Sequence, residues 1–172
     1  MVRKAWHMRT VRSLVVPFIP LFLFWVMLNG STDADTLFIG VVVSLIIALL
    51  FRTSLSPFTE LHFTPRAAKA ALGFFIFFVG ELVKANIRLA RVVLSPSLPI
   101  KPGFVKVRTR LKSRMGRLLL ANSITLTPGT LTVELEGEWL YVHWVTVETT
   151  DTELASQQIV AGFENYLEVM YG

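Results

Sequence analysis

The chain has no cysteine, no basic residue after Arg117 and no acidic residue between Lys84 and Arg117. The first absence removes disulfides, thiolate metal sites and cysteine nucleophiles together, but fixes no compartment. The other two divide the charge. Residues 84–117 hold ten of the 17 Lys and Arg, and residues 118–172 hold eight of the 12 acids. The net charge of +5 averages over these opposed segments. Charge is scarce as a whole: 17% of residues are charged and 53% hydrophobic, against about 25% charged in a soluble domain. The apolar excess lies in the first half, so 172 residues read as a membrane anchor followed by one small folded domain.

Two uncharged runs fall in that half, about 13–28 and 36–51, bounded by Arg12 and Arg52. As helices they reach roughly 24 Å, short of a hydrocarbon core near 30 Å. They span if the bounding arginines snorkel or the bilayer thins. The loop from Asn29 to Asp35 carries two acids and no base, and the N-terminus carries Arg3, Lys4, Arg9 and Arg12 with no acid. Positive-inside logic puts the N-terminus in the cytoplasm and the loop outside. A cleaved signal peptide is the rival reading; Pro17, Pro20 and the lack of an A-x-A-like site after Leu28 favour a retained span, kinked near the prolines. A third segment, 67–94, has an apolar centre from Leu72 to Val79. It then continues with Glu81, Lys84, Arg88 and Arg91 opposite Leu82, Val83, Ile87, Ala90 and Leu94. It is either a third crossing or an amphipathic interfacial helix. The second keeps every basic cluster on one side, and places the C-terminal domain in the cytoplasm.

Residues 95–103, with three prolines and a glycine, form a linker, which sets the expected division at 1–94, 95–103 and 104–172. Phe104 to Leu111 alternates as a half-buried strand, with Val105, Val107, Thr109 and Leu111 inward and Lys106, Arg108 and Arg110 outward. Ser113 to about Ile124 reads as a helix presenting Met115, Leu118, Leu119 and Asn122, and Pro128-Gly129 as a turn. Two further alternating runs joined at Gly137-Glu138 predict a type II′ hairpin. Its register pairs Leu135 with Leu140, Val133 with Val142 and Leu131 with Trp144 on the core face. Thr132, Glu134, Glu136, Trp139, Tyr141 and His143 take the other face. Thr150-x-x-Glu153 is a capping box opening a last helix to about Met170, with Ile159, Val160, Phe163, Leu167 and Met170 inward. The order β-α-β-β-α is a ferredoxin-like α+β unit lacking its last strand, with the first strand beside the third and a sheet edge open to a partner.

No catalytic or metal pattern is present. His7, His62 and His143 have no Cys, acid or second His at ligand spacing, and there is no P-loop or nucleophile elbow. Ion movement through a bilayer requires ionisable groups inside it; the two clear spans have none, and Glu81 with Lys84 is the sole candidate intramembrane pair. The basic belt lacks a nucleic-acid stacking motif, and such a segment beside a membrane more often meets anionic headgroups.

The run Asn122-Ser123-Ile124-Thr125-Leu126-Thr127-Pro128-Gly129-Thr130, followed by Leu140-Tyr-Val-His-Trp144, resembles the E subunit of the multisubunit Mrp/Mnh-type Na+(K+)/H+ antiporters of bacteria. The likeness of layout extends over nearly the whole chain. It implies a multi-pass accessory subunit of a plasma-membrane assembly exchanging Na+ or K+ for H+. The partners so implied are other hydrophobic subunits, with no cofactor and no catalytic residue. Asn122, Ser123, Thr125, Thr127, Pro128, Gly129 and Thr130 are carried over as the family motif, with a structural or assembly role. Two other classes remain: a stand-alone membrane-tethered adaptor for protein or lipid, and an enzyme with an unrecognised site.

Overall fold

A computed structural model describes residues 2–51 and 60–172, with side chains from Leu14 onward in the first stretch. Arg3, Lys4, His7, Arg9, Arg12 and Arg52, on which the snorkelling expectation rests, lie outside the described side chains. Two compact units divide between Leu61 and His62.

The first unit is a helix pair, α1 (Val2–Asn29) and α2 (Ala34–Leu50). α1 runs through Pro17 and Pro20 and includes the basic N-terminus. Gly30, at φ +61°, turns the chain in the left-handed conformation that glycine tolerates. α2 buries Gly40, Ser44 and Ala48, spaced four apart, and exposes Phe38, Ile39, Val42, Ile46 and Leu49. A Cβ at Gly40 would run into the Trp25 ring, whose Nε1 donates to the Thr36 carbonyl at 2.9 Å. Small residues inside and large apolar ones outside invert the pattern of a water-soluble pair.

The second unit joins a long helix to a small antiparallel sheet. α3 (Pro65–Leu94) opens with Thr64 as N-cap, its hydroxyl accepting from the Ala67 amide at 3.1 Å. It is the one helix among the described residues long and apolar enough to cross a membrane, by length and composition; Leu14–Asn29 and Ala34–Leu50 are shorter apolar helices. The sheet consists of β1 (Gly103–Arg108), β2 (Thr130–Glu136) and β3 (Trp139–Trp144) in the order β1-β3-β2, so the first strand does lie beside the third. α4 (Arg114–Leu126) follows β1, and α5 (Thr152–Ile159) and α6 (Ala161–Tyr171) follow β3. The core is Val105 and Val107 from β1, Leu140 and Val142 from β3, Leu120 and Ile124 from α4, and Val160, Phe163 and Leu167 from the C-terminal helices.

Several expectations are corrected here. The hairpin turn has Gly137 at φ +58° and Leu135 opposite Leu140 as expected, but a bulge between Thr132 and Glu134 changes the face beyond it. Thr132 pairs with Val142 and Thr130 with Trp144, while Leu131 lies opposite His143 on the outer face. Leu131 and Val133 are therefore 48% and 57% exposed instead of buried, and Leu135, although opposite Leu140, is exposed at the strand's end as well. The cause is polar: Thr132 turns inward because its hydroxyl donates to the Ala121 carbonyl and its amide to Thr125 Oγ1, both at 3.1 Å. On α4 the buried face is Gly116, Leu120, Ser123 and Ile124, leaving Leu118 and Asn122 exposed. Three consecutive leucines fit either face, and the approach of Tyr171 to Gly116 favours this one. The last helix is two, broken at Val160, and its N-cap is Asp151, whose carboxylate accepts from the Leu154 amide at 2.9 Å. Its expected inward residues are all buried. The linker is tied to the sheet, since Lys101 bonds both Val145 and Val147 through its backbone.

Candidate functional site

The family-like run occupies the C-terminal end of α4 and the turn into β2. A helix leaves its last four carbonyls without intrahelical partners. Here hydroxyls take two of them, at Ser123 and Ile124, and two more hydroxyl bonds reach the flanking Leu119 and Thr127 carbonyls. Ser123 Oγ donates to Leu119 O at 2.7 Å, and Thr127 Oγ1 to Ser123 O at 2.8 Å. Thr130 Oγ1 reaches both Ile124 O at 2.6 Å and Thr127 O at 2.9 Å. Thr125 Oγ1 accepts from β2 at Thr132. Pro128 and Gly129 make the turn, Gly129 at φ +95°, and the Gly129 carbonyl accepts the Val145 amide at 2.9 Å. Asn122 is exposed beside them. The run thus stitches α4, β2 and the end of β3 into one corner.

That corner forms one wall of a cavity of about 300 Å³. α3 lines it too, through Glu81, Ala85, Arg88 and Leu89, and Trp144, Ile159 and Phe163 add apolar surface. Folding thereby brings Glu81 on α3 and Thr127 in the turn, far apart in the chain, to the walls of one cavity. Glu81 is paired along its own helix: Lys84 Nζ lies 2.8 Å from Oε1 and Arg88 Nη2 3.9 Å from Oε2. Lys84 and Arg88 are mostly exposed, so these are solvent-screened ion pairs of small energy.

α3 meets α6 through rings. Phe163 packs edge-on to Phe77 at 5.1 Å and to Phe74 at 6.2 Å between centroids, and Tyr166 lies 5.7 Å from Phe77. Gly73 and Gly162 make room, since a Cβ at either would enter the Tyr166 or Phe77 ring. The other face of the same α3 stretch, with Leu72, Phe75, Ile76 and Val79, is exposed.

Sequence reasoning missed a buried carboxylate that accepts three hydrogen bonds. Glu164 of α6 is 4% exposed. Its Oε1 accepts from Thr109 Oγ1 and from the Arg110 amide, both at 2.6 Å, and its Oε2 from Arg110 Nε at 2.9 Å. Glu168 adds a second carboxylate 3.7 Å from Arg110 Nη2. The hydrogen bond that Arg110 donates to Glu164, then the charge of that carboxylate, raise the Arg110 guanidinium above its already high ordinary pKa. Arg110, expected on the outer face beside Lys106 and Arg108, thus turns to α6. The available signal was an acid at position 164 between Phe163 and Leu167 on an otherwise apolar helix face.

Lys106 and Arg108 do lie on the outer sheet face. Lys106 Nζ sits 4.2 Å above the Trp139 ring and 5.5 Å from that of Tyr141. Arg108 lies near Trp139 and bonds Glu138 at 3.0 Å. The edge expected to be open is partly closed, because the Arg108 amide donates to Ser156 Oγ of α5 at 2.8 Å. His143 stacks edge-on against Phe104, His62 bonds the Met170 carbonyl through its backbone, and no group of three metal-binding side chains occurs among the described residues.

A family described as Na+/H+ ion antiporter subunit matches residues 18–170. The chain is 36% identical over 125 residues to the Na+/H+ antiporter E subunit of Alkalihalophilus pseudofirmus, covering 72% of this chain and 77% of that protein. It is 33% identical over 147 residues to the Na+/H+ antiporter E1 subunit of Staphylococcus haemolyticus, covering 83% and 87%. Among solved structures it is similar, with a TM-score of 0.74 and 37% identity, to a chain in the membrane-bound sulfane sulfur reductase, an archaeal respiratory membrane complex. That match covers 92% of this chain and 98% of the other.

Proposed function

The chain belongs to the family of Na+/H+ antiporter E subunits, and from that premise we propose that it serves as an accessory subunit of a multisubunit cation/proton antiporter in the bacterial plasma membrane. It assembles with other hydrophobic subunits and performs no chemistry of its own. One observation carries the accessory assignment. Residues 14–28 and 36–50 contain no ionisable side chain, and Glu81, the only acid between 61 and 133, is neutralised by Lys84 and Arg88. A proton or Na+ path needs a carboxylate, histidine or lysine that changes charge within the bilayer; this subunit has none to offer there.

The inverted surface of α1 and α2 supports placing that pair in lipid, with the N-terminus and the sheet domain on the cytoplasmic side. For α3 the interfacial reading is the better supported. Its Phe74 and Phe77 pack on α6, which also holds Glu164 and Glu168, and a full crossing would draw those carboxylates toward the hydrocarbon. Exposed Lys84, Arg88, Arg91, Lys101, Lys112 and Arg114 are then available to anionic headgroups, at about 1 kcal/mol each. The sheet order, the antiparallel pairing and the α4 crossover support a ferredoxin-like unit without its fourth strand, α5 lying along the β1 edge.

The test is reconstitution. The purified chain in proteoliposomes gives no Na+- or K+-dependent proton flux, whereas membranes lacking it lose exchange by the assembled antiporter. Glu81→Gln leaves exchange within about threefold, as expected for a screened pair. Robust flux from the chain alone, or loss of exchange with intact assembly in Glu81→Gln, overturns the accessory assignment.

A further inference from the structure

The outer face of the sheet displays three rows that cross all three strands. In register they read Phe104–His143–Leu131, Lys106–Tyr141–Glu134 and Arg108–Trp139–Glu136. The β1 edge is thus basic, the centre aromatic and the β2 edge acidic. Phe104, Lys106, Leu131, Glu134 and Glu136 are exposed, and among the described residues Glu134 and Glu136 pair with no cation. Such a face is complementary to itself. A two-fold axis along β3 sets the β1 edge of one copy against the β2 edge of the other. Each row then meets its own reverse: Phe104 faces Leu131, Lys106 faces Glu134, Arg108 faces Glu136, and the central rings meet rings.

We propose that this face binds a second copy of this chain, through a two-fold contact running along β3. An anionic lipid surface fits less well, because Glu134 and Glu136 lie as far forward as Lys106 and Arg108 and would face like charge. A uniformly acidic or basic protein partner meets the same conflict on one edge. The bulge in β2 is what completes the match, since without it Leu131 would point inward and Phe104 would have no apolar counterpart. The patch is only three strands wide, at the small end for a stable interface. Contact therefore forms where the membrane or an assembly already holds two copies close.

The absence of native cysteine makes the test direct. Two differently tagged full-length chains, one carrying Lys106→Cys and the other Glu134→Cys, are co-expressed and treated in native membranes with a bifunctional thiol reagent of about 10 Å reach, the spacing of two sheets packed face to face. Each chain carries a single cysteine, so a cross-link joining the two tags reports two copies. In that pairing the second Lys106–Glu134 contact stays intact. The expected result is a mixed dimer at least about threefold above that from two Lys106→Cys chains, which lie on opposite edges. Charge exchange is the second arm. Lys106→Glu and Glu134→Lys each lower co-purification of a second, differently tagged copy of the same variant by about threefold or more, and the double variant restores it. A mixed dimer no stronger than the control overturns the proposal. So do single exchanges without effect, a double variant as poor as the singles, or variants that lose a different subunit or anionic vesicles while self-association persists.

Discussion

Arg110 Nε lies 2.9 Å from Glu164 Oε2 while its backbone amide bonds Glu164 Oε1 at 2.6 Å, so one residue of the basic belt and one of the acidic tail are joined twice. The bonds fix the end of β1 to α6 across 54 residues of chain. Glu164 also takes the Thr109 hydroxyl, leaving no buried side-chain polar atom without a partner among the described residues.

Removing that carboxylate leaves a buried hydroxyl and an amide unpaired, each a penalty of about 1–3 kcal/mol. Glu164→Ala should lower the thermal unfolding midpoint of the detergent-solubilised chain far more than Glu168→Ala, whose carboxylate is mostly exposed. Equal effects would mean that the Arg110–Glu164 contact does not hold the domain.

The bulge makes a contrast within one strand pair. Leu140→Ala removes a fully buried side chain and should destabilise by about 2–5 kcal/mol. Leu131→Ala, on the outer face, should stay within about 0.5 kcal/mol. Chemical denaturation of the two variants decides it, and the reverse ranking would restore an unbulged register.

Thr130→Val keeps the shape of the side chain and deletes its hydroxyl. Two carbonyls at the end of α4 then lose one donor each while keeping a backbone amide, for an expected destabilisation of about 0.5–1.5 kcal/mol. Amide exchange should rise first in residues 121–132. An unchanged exchange pattern would remove the helix-end role of the motif.

Topology is readable with introduced cysteines at exposed positions. Thr32→Cys should label with an impermeant reagent from outside intact cells, and Glu153→Cys only after permeabilisation. Labelling of Glu153→Cys in intact cells would require α3 to cross the membrane.

The hairpin, β1 and the C-terminal apolar face were legible because period-two and period-3.6 patterns report burial residue by residue. Gly137 and Pro128-Gly129 marked their turns because few residues take those backbone angles. The missed elements share one cause. Leu131 and Val133 fit an inward strand face as well as Thr132 does, until the carbonyl of Ala121 and the hydroxyl of Thr125 are brought within bonding distance. Leu118, Leu119 and Leu120 likewise offer α4 two faces, and the chain elsewhere selects one. The cavity beside Glu81 has no local signal, because its walls come from segments far apart in the chain.

By itself, then, the sequence determined the order of elements, the apolar half, the separation of basic belt from acidic tail and the family motif. These depend on composition and local periodicity. Tertiary structure alone decided which leucines face inward, that Glu164 rather than an outer-face acid receives Arg110, and that the motif threonines close a helix end. Each of those choices is made by a hydrogen bond or a ring contact between distant segments, and its energy exists only once the chain has folded.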